Sequence, residues 1–222
     1  TFNEAPVILP SVRLLVDTFA SQKDSDWEII IVDNASTDDT KEQIITFAHP
    51  QVRVISLTQK GKGRAIRSGF AEAEGDVVGF TDADLSVPPE EIFAVFLAVS
   101  HNEADVIIGS RAHKESKFPD REWWRIGSSR IFNLLAKGIV GVRVDDTQCP
   151  LKVMNVSGIR VMLATKEDTW FFDLEFLALC ESLGIRIKEV PVTWYEHRYP
   201  ARRSKLSTVR DGVRSIGAMF RI

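Results

Sequence analysis

Short apolar runs and amphipathic stretches alternate along the first half of the chain. The runs at 27–32 (WEIIIV), 52–56 (VRVIS), 76–81 (DVVGFT) and 104–110 (ADVIIGS) are long enough for strands and too short for helices. Between them, apolar residues recur at helical spacing over roughly 6–22, 38–48, 62–73 and 88–99. Pro88 or Pro89 suits the first turn of the last of these, with Glu90 and Glu91 placed to favour the helix dipole. Continuous apolar strands separated by helices predict a doubly wound α/β domain, its mostly parallel sheet covered on both faces. Ligands are then expected at the carboxyl ends of the strands.

The second half is less regular. An aromatic and aliphatic helix is expected from about Glu122 to Val140, then a strand near CPLKVM, a helix near FFDLEFLALCESLG and a strand near IRIKEVPV. In the last segment Leu206, Val209, Val213, Ile216 and Phe220 fall at helical spacing among basic residues. The expected division is therefore a domain over 1–205 and a basic amphipathic helix over 206–222. TFNEAP reads as the loop after a strand, so a first strand is expected upstream of Thr1, and a longer natural protein beyond both ends.

Composition narrows the class. The 222 residues are 44% hydrophobic and 27% charged, which supports one large folded domain. A net charge of -3 argues against a nucleic-acid binder. From His197 onward, however, seven basic residues (Arg198, Arg202, Arg203, Lys205, Arg210, Arg214, Arg221) face one acid, Asp211. That end could meet an anionic surface or be a solvated face. Cys149 and Cys180 lie far apart and read as buried reduced thiols in a reducing compartment. No run approaches the ~20 apolar residues of a membrane span.

Candidate chemistry sits in three strand-end loops. Phe2, Asn3 and Glu4 open the chain. Asp33 ends the second predicted strand, with Thr37 or Asp38 capping the next helix, and Asp82 and Asp84 follow the fourth. Taken singly, each acid fits a turn or cap as well as a ligand. Parallel strands bring their tips to one edge, so Glu4, Asp33, Asp82 and Asp84 are expected to converge. The loop QKGKGRAIRSG (59–69) matches neither the Walker spacing nor the dinucleotide fingerprint. Gly61, Lys62 and Gly63 suit either a close approach to an anion or a basic loop opening a helix.

The ordered motifs F-N-E, V-D-N-A-S-T-D, K-G-K-G-x-A-x-x-x-G and T-D-A-D-L-S resemble family 2 glycosyltransferases with the glycosyltransferase A fold. GSRAH, DTQCPLK, WFFDLE and VTWYEHRYPARRSKL resemble, within it, dolichyl-phosphate β-glucosyltransferases and their polyprenyl-phosphate relatives. The resemblance spans nearly the whole chain. It implies inverting transfer of a hexose, best matched by glucose, from a nucleoside-diphosphate sugar to a polyprenyl or dolichyl phosphate at the cytoplasmic face of a membrane.

By the same resemblance Asp82 and Asp84 hold Mg²⁺ or Mn²⁺. Ser86 stands where mannosyl-phosphate relatives keep a third ligand, a glutamine. Phe2, Glu4, Asp33, Lys62 and Asp82 hold the nucleotide. Arg111, Arg125, Ser204 and Lys205 serve phosphates, Gln148 lies at the donor pocket, and Asp173 orients sugar or acceptor rather than acting as base. The Trp123–Val140 helix and the C-terminus are candidates for the membrane interface, with core packing as the rival reading. Other classes are a nucleotide-sugar binding protein without turnover and a sugar nucleotidyltransferase. The latter is disfavoured because its glycine-rich loop follows the first strand.

Overall fold

The computed structural model describes residues 1–22, 25–119, 141–196 and 199. The described elements are α1 (Ile8–Ala20), β1 (Ile29–Asn34), α2 (Thr40–Phe47), β2 (Val52–Leu57), α3 (Lys62–Glu72), β3 (Val77–Phe80) and α4 (Pro89–Ser100). They continue with β4 (Val106–Ser110), β5 (Lys152–Asn155), α5 (Val156–Ala164), α6 (Phe172–Ser182) and β6 (Ile187–Pro191). The four alternating strands and helices of the first half stand where the apolar pattern places them. The first run is displaced by two residues, so β1 reaches Asn34 and carries Asp33 within it.

Strands β1 and β2 pair in parallel, and a four-stranded sheet runs in the order β3-β5-β4-β6. β4 and β6 are parallel, while β5 is antiparallel to both of its neighbours. Three of these four strands thus point one way, and the loops after β3, β4 and β6 share an edge. Thr1 lies against the end of β1: its amino group donates to Val32 O at 2.6 Å, and Asn34 N donates to Thr1 O at 2.8 Å.

β4 explains why its run is apolar throughout. Val106 and Ile108 face Met154, Phe172, Phe176 and Leu177, whereas Ile107 faces Leu151, Val153, Ile92 and Phe93. A strand covered on both faces has no solvent side on which to place polar residues. A third cluster joins Ile8, Val12 and Val16 of α1 to Ile31 of β1 and Ile44 of α2. Helices therefore cover both faces, as expected.

Helix α5 has no counterpart among the elements expected from the sequence. Its start is marked by Asn155, whose Oδ1 accepts from Ser157 N at 2.9 Å and Gly158 N at 3.4 Å, an ordinary N-cap. At α2 the cap is offset: Asp38 Oδ1 accepts from Thr40 N at 3.1 Å, although Asp39 is the residue next to the helix. α4 begins as the prolines suggest, with Pro89 in its first turn. Both cysteines are buried and free, and burial pushes each thiol up to about 12. No helix among the described residues is long and apolar enough to cross a membrane. The expected Glu122–Val140 and 206–222 helices lie outside the described residues.

Candidate active site

The opening loop is tied to the loop after β1. Asn3 N donates to Ser36 Oγ at 2.9 Å, Thr37 N donates to Asn3 Oδ1 at 2.7 Å, and Glu4 N donates to Thr40 Oγ1 at 2.8 Å. Asn3 and Ala35 both adopt left-handed backbone, φ 52° and 58°, which lets the two loops turn into each other. Glu4 and Asp33 are buried. Asp33 Oδ1 accepts from Ser36 N at 3.3 Å, so part of its capacity shapes its own loop. The charges of Asp33, Asp82 and Glu4 all reach the main-chain nitrogen of Thr1, so these three strand-end acids share one neighbourhood.

The turn after β3 carries the paired aspartates. Leu85 N donates to Asp82 O at 3.1 Å, and Leu85, fully buried at φ 47°, anchors the turn. Asp84 is buried and Asp82 is about one third exposed. Lys62, at the start of α3, places Nζ 3.0 Å from Asp82 Oδ1 and 4.5 Å from the ring centre of Trp170. Burial opposes its charge, but Asp82, Asp173 and Asp84 outweigh that and hold the ammonium above the usual lysine range. The charged ammonium is therefore the favoured form of Lys62 here. Two hard carboxylates beside it fit a divalent ion that takes one or two protein ligands and fills its shell with phosphate and water. Among the described residues no three acids, cysteines or histidines gather to hold such an ion alone.

The glycines before and within α3 serve a different purpose from an anion cradle. Gly61 N donates to Asn34 Oδ1 at 2.8 Å, Gly63 N to Thr169 O at 3.1 Å and Arg64 N to Asp168 O at 3.4 Å. A Cβ on Gly61 would stand 2.6 Å from Asp168 O, and one on Gly63 would stand 2.2 Å from Glu167 O. The glycines let the backbone of 167–169 lie against α3. Arg64 and Arg67 both grip the Asp168 carboxylate across that contact. Lys60 is the loop's other cation, 4.0 Å from the ring centre of Phe2.

Arg111, just beyond β4, is clamped by Asp146. Asp146 Oδ2 accepts from Arg111 N at 2.9 Å and Nε at 2.7 Å, and Oδ1 accepts from Nη2 at 2.8 Å. The guanidinium lies 4.8 Å from the ring centre of Trp194. Burial alone would raise the Asp146 carboxyl, but Arg111 draws it down to about 2. Against the same burial, Asp146 holds Arg111 above the ordinary arginine range, and Asp82 contributes. Gln148 is half-buried, its backbone N donating to Asp146 Oδ1 at 3.2 Å.

Asp173, in the first turn of α6, is paired with Lys152 of β5 at 2.7 Å, both side chains buried. Burial pushes Asp173 above the ordinary carboxylate range, against the pull of Lys152 and Lys62. Ser86 is buried and its carbonyl accepts from Tyr195 N at 2.8 Å.

The structure thus brings Lys62, Asp82, Asp84, Asp173 and Arg111 into one electrostatic neighbourhood, with Glu4 and Asp33 at its flank. Arg125, Ser204 and Lys205 lie outside the described residues. Lys60, Asp146, Lys152 and Trp170 contact the candidate site residues Phe2, Arg111, Asp173 and Lys62, and Asp168 braces the neighbouring loop, but none of the five was singled out by the sequence. Asp146, Lys152 and Trp170 stand inside DTQCPLK and WFFDLE, so the motifs were visible while the pairings were not.

Comparison with known proteins identifies the fold and the family. Glucosyl-3-phosphoglycerate synthase of Mycobacterium tuberculosis, solved with Mn²⁺, UDP-glucose and glycerol 3-phosphate, superposes with a TM-score of 0.67. It is 20% identical, and the match covers 99% of this chain and 76% of that one. The fold is the glycosyltransferase A fold, as the resemblance implied. The model of glycosyl transferase family 2 matches residues 1–163, and the chain belongs to that family. The dolichyl-phosphate β-glucosyltransferase of Saccharomyces cerevisiae is 31% identical over 222 residues, covering 88% of this chain and 65% of the relative. The undecaprenyl-phosphate 4-deoxy-4-formamido-L-arabinose transferase of Pseudomonas syringae is 31% identical over 195 residues, covering 86% and 55%. The chain spans less than two thirds of the length of these curated relatives.

Proposed function

We propose that this chain is the catalytic part of an inverting hexosyltransferase that moves a sugar from a nucleoside diphosphate to a polyprenyl phosphate. The observation that carries the reading is the Lys62–Asp82 contact at the β3 tip, at 3.0 Å, with Asp84 and Asp173 acting on the same ammonium. Acids that attract a cation stand there beside fixed cations that suit phosphates. The names of the family relatives supply the acceptor class, a lipid phosphate. They differ in the sugar, so UDP-glucose is the first donor to test and GDP-mannose the second.

In this reading Asp82 and Asp84 hold Mg²⁺ or Mn²⁺, which neutralises the departing diphosphate when bound. Lys62 adds a positive charge on the nucleotide side, while Phe2, Glu4 and Asp33 line the base and ribose end. The acceptor is a phosphate monoester with a second pKa near ~6, already largely ionised at neutral pH. It needs no strong base. Asp173, engaged by Lys152, then orients sugar or acceptor rather than taking a proton. What the acceptor does need is cationic help, because two like charges ~4 Å apart repel by about 4 kcal/mol at an effective dielectric of 20. Arg111, locked by Asp146 beside Trp194, supplies a fixed guanidinium, and Arg125, Ser204 and Lys205 are assigned to the same phosphate by resemblance. Direct displacement from an α-linked donor gives a β-linked product.

We place the protein at the cytoplasmic face of a membrane, with residues 206–222 as a candidate interfacial segment. The test is incubation with UDP-[¹⁴C]glucose, Mg²⁺ and a polyprenyl phosphate, followed by extraction into organic solvent. Radiolabelled lipid is the expected result. Donor binding with no labelled lipid, across several sugars and metals, would instead identify a nucleotide-sugar binding protein.

A further inference from the structure

Lys152 is among the largest fully buried side chains of the protein, on the strand between β3 and β4. In register it lies opposite Phe80, two residues before Asp82, and opposite Ile108. Its Nζ donates to Cys149 O at 2.6 Å and contacts Asp173 Oδ1 at 2.7 Å. A lysine in the centre of an apolar sheet is expensive to bury, and a well-packed apolar pair of similar volume is often neutral or stabilising in its place. Packing alone therefore gives no reason to prefer this pair to two apolar residues.

Its position supplies a reason. Asp173 is paired with Lys152, and its charge also acts on Lys62, which contacts Asp82. The two sides are joined by packing, since a Cβ on Gly63, next to Lys62, would stand 2.7 Å from Cβ of Phe172, next to Asp173. From β5 to the β3 tip the charges alternate: Lys152, Asp173, Lys62, Asp82. Remove Lys152, and Asp173 either loses its charge in an apolar setting or pairs with Lys62 alone, pulling it from Asp82. Both outcomes alter the cation that faces the nucleotide.

We infer that Lys152 is a positioning residue: through Asp173 it sets the place of Lys62 and thereby the site's grip on a nucleoside diphosphate. This rests on the donor reading above. The test measures thermal stability and the affinity for UDP and GDP, by calorimetry with Mg²⁺, in the parent, Lys152→Met, Asp173→Asn and Lys152→Met/Asp173→Leu. Each single variant is expected to weaken binding of the preferred nucleotide about tenfold. The double variant, with its apolar pair, is expected to regain parental stability yet remain about tenfold weak rather than a hundredfold, since both changes act on Lys62 through the same carboxylate. Should single variants be too unstable to purify, the double variant alone decides, because its core is repaired and its charge chain is not. Parental affinity in the double variant, or in Lys152→Met, overturns the inference and leaves the pair structural. A parent that binds neither nucleotide removes the donor reading and this inference with it.

Discussion

Replacing Gly63 with alanine separates two explanations of the glycine-rich loop by the sign of a stability change. Gly63 is the second residue of α3, where alanine would ordinarily stabilise the helix by up to ~1 kcal/mol. Here its Cβ would lie 2.2 Å from Glu167 O and 2.7 Å from Phe172 Cβ. Even a close carbon–oxygen contact runs ~3.3 Å, so a backbone carbonyl must retreat by about 1 Å. That carbonyl belongs to a segment whose neighbours Asp168 and Thr169 accept from Arg64 N and Gly63 N, so it cannot retreat without straining those bonds. Overpacking of this kind costs about 1–3 kcal/mol. Because the new Cβ meets both a carbonyl and a second Cβ, the upper end of that range, about 3 kcal/mol, applies, and the helix gain of ~1 kcal/mol leaves a net loss of about 2 kcal/mol. At 2–4 °C per kcal/mol for a domain of this size, Tm should fall by roughly 4–8 °C. Scanning calorimetry or circular dichroism in the absence of nucleotide reads this directly. An unchanged or raised Tm, with weakened nucleotide binding, would refute the packing argument and restore the anion cradle.

Three further outcomes are expected. Asp84→Asn should abolish sugar transfer while leaving the circular dichroism spectrum and Tm close to parental; a fully active variant removes the metal assignment. Asp146→Asn strips Arg111 of its buried partner, and removing one member of such a pair costs about 3–5 kcal/mol. Because Arg111 holds Asp146 down to about 2, the pair's stabilisation is complete above pH ~4 and disappears as the pH falls towards 2. The variant should therefore be less stable at pH 7 and show a flatter loss of Tm between pH 4 and 2; parallel curves would contradict the pairing. Finally, the purified protein should sediment with anionic liposomes and do so less after deletion of 206–222. Equal behaviour of the two forms would detach that segment from membrane binding.

What could be read in the sequence was local or periodic. The runs that became β1 to β4 carried their burial in their own composition, and Pro89 with Glu90 and Glu91 announced α4. Asp82 and Asp84 gained meaning once they were placed at a strand tip beside Glu4 and Asp33. The unread part depends on residues distant in the chain. Arg111 and Asp146 are 35 positions apart, and Arg64 meets Asp168 across 104. Nothing in QKGKGRAIRSG indicates that its glycines clear a path for 167–169. The direction of β5 was likewise hidden, because an apolar run reads the same in a parallel and an antiparallel strand. Helix α5 was different. Asn155 followed by Ser157 and Gly158 is a recognisable cap, and the signal was present but unused.

The linkage in the lipid product tests the central claim most directly, since it reports donor, acceptor and route together. Product made from UDP-glucose and a polyprenyl phosphate would be purified and its anomeric proton examined by NMR, with Asp84→Asn as the control. The account predicts a β-linked glucosyl phosphate from the parent and none from the variant. An α-linked product, or sugar released to water with none on the lipid, would contradict it.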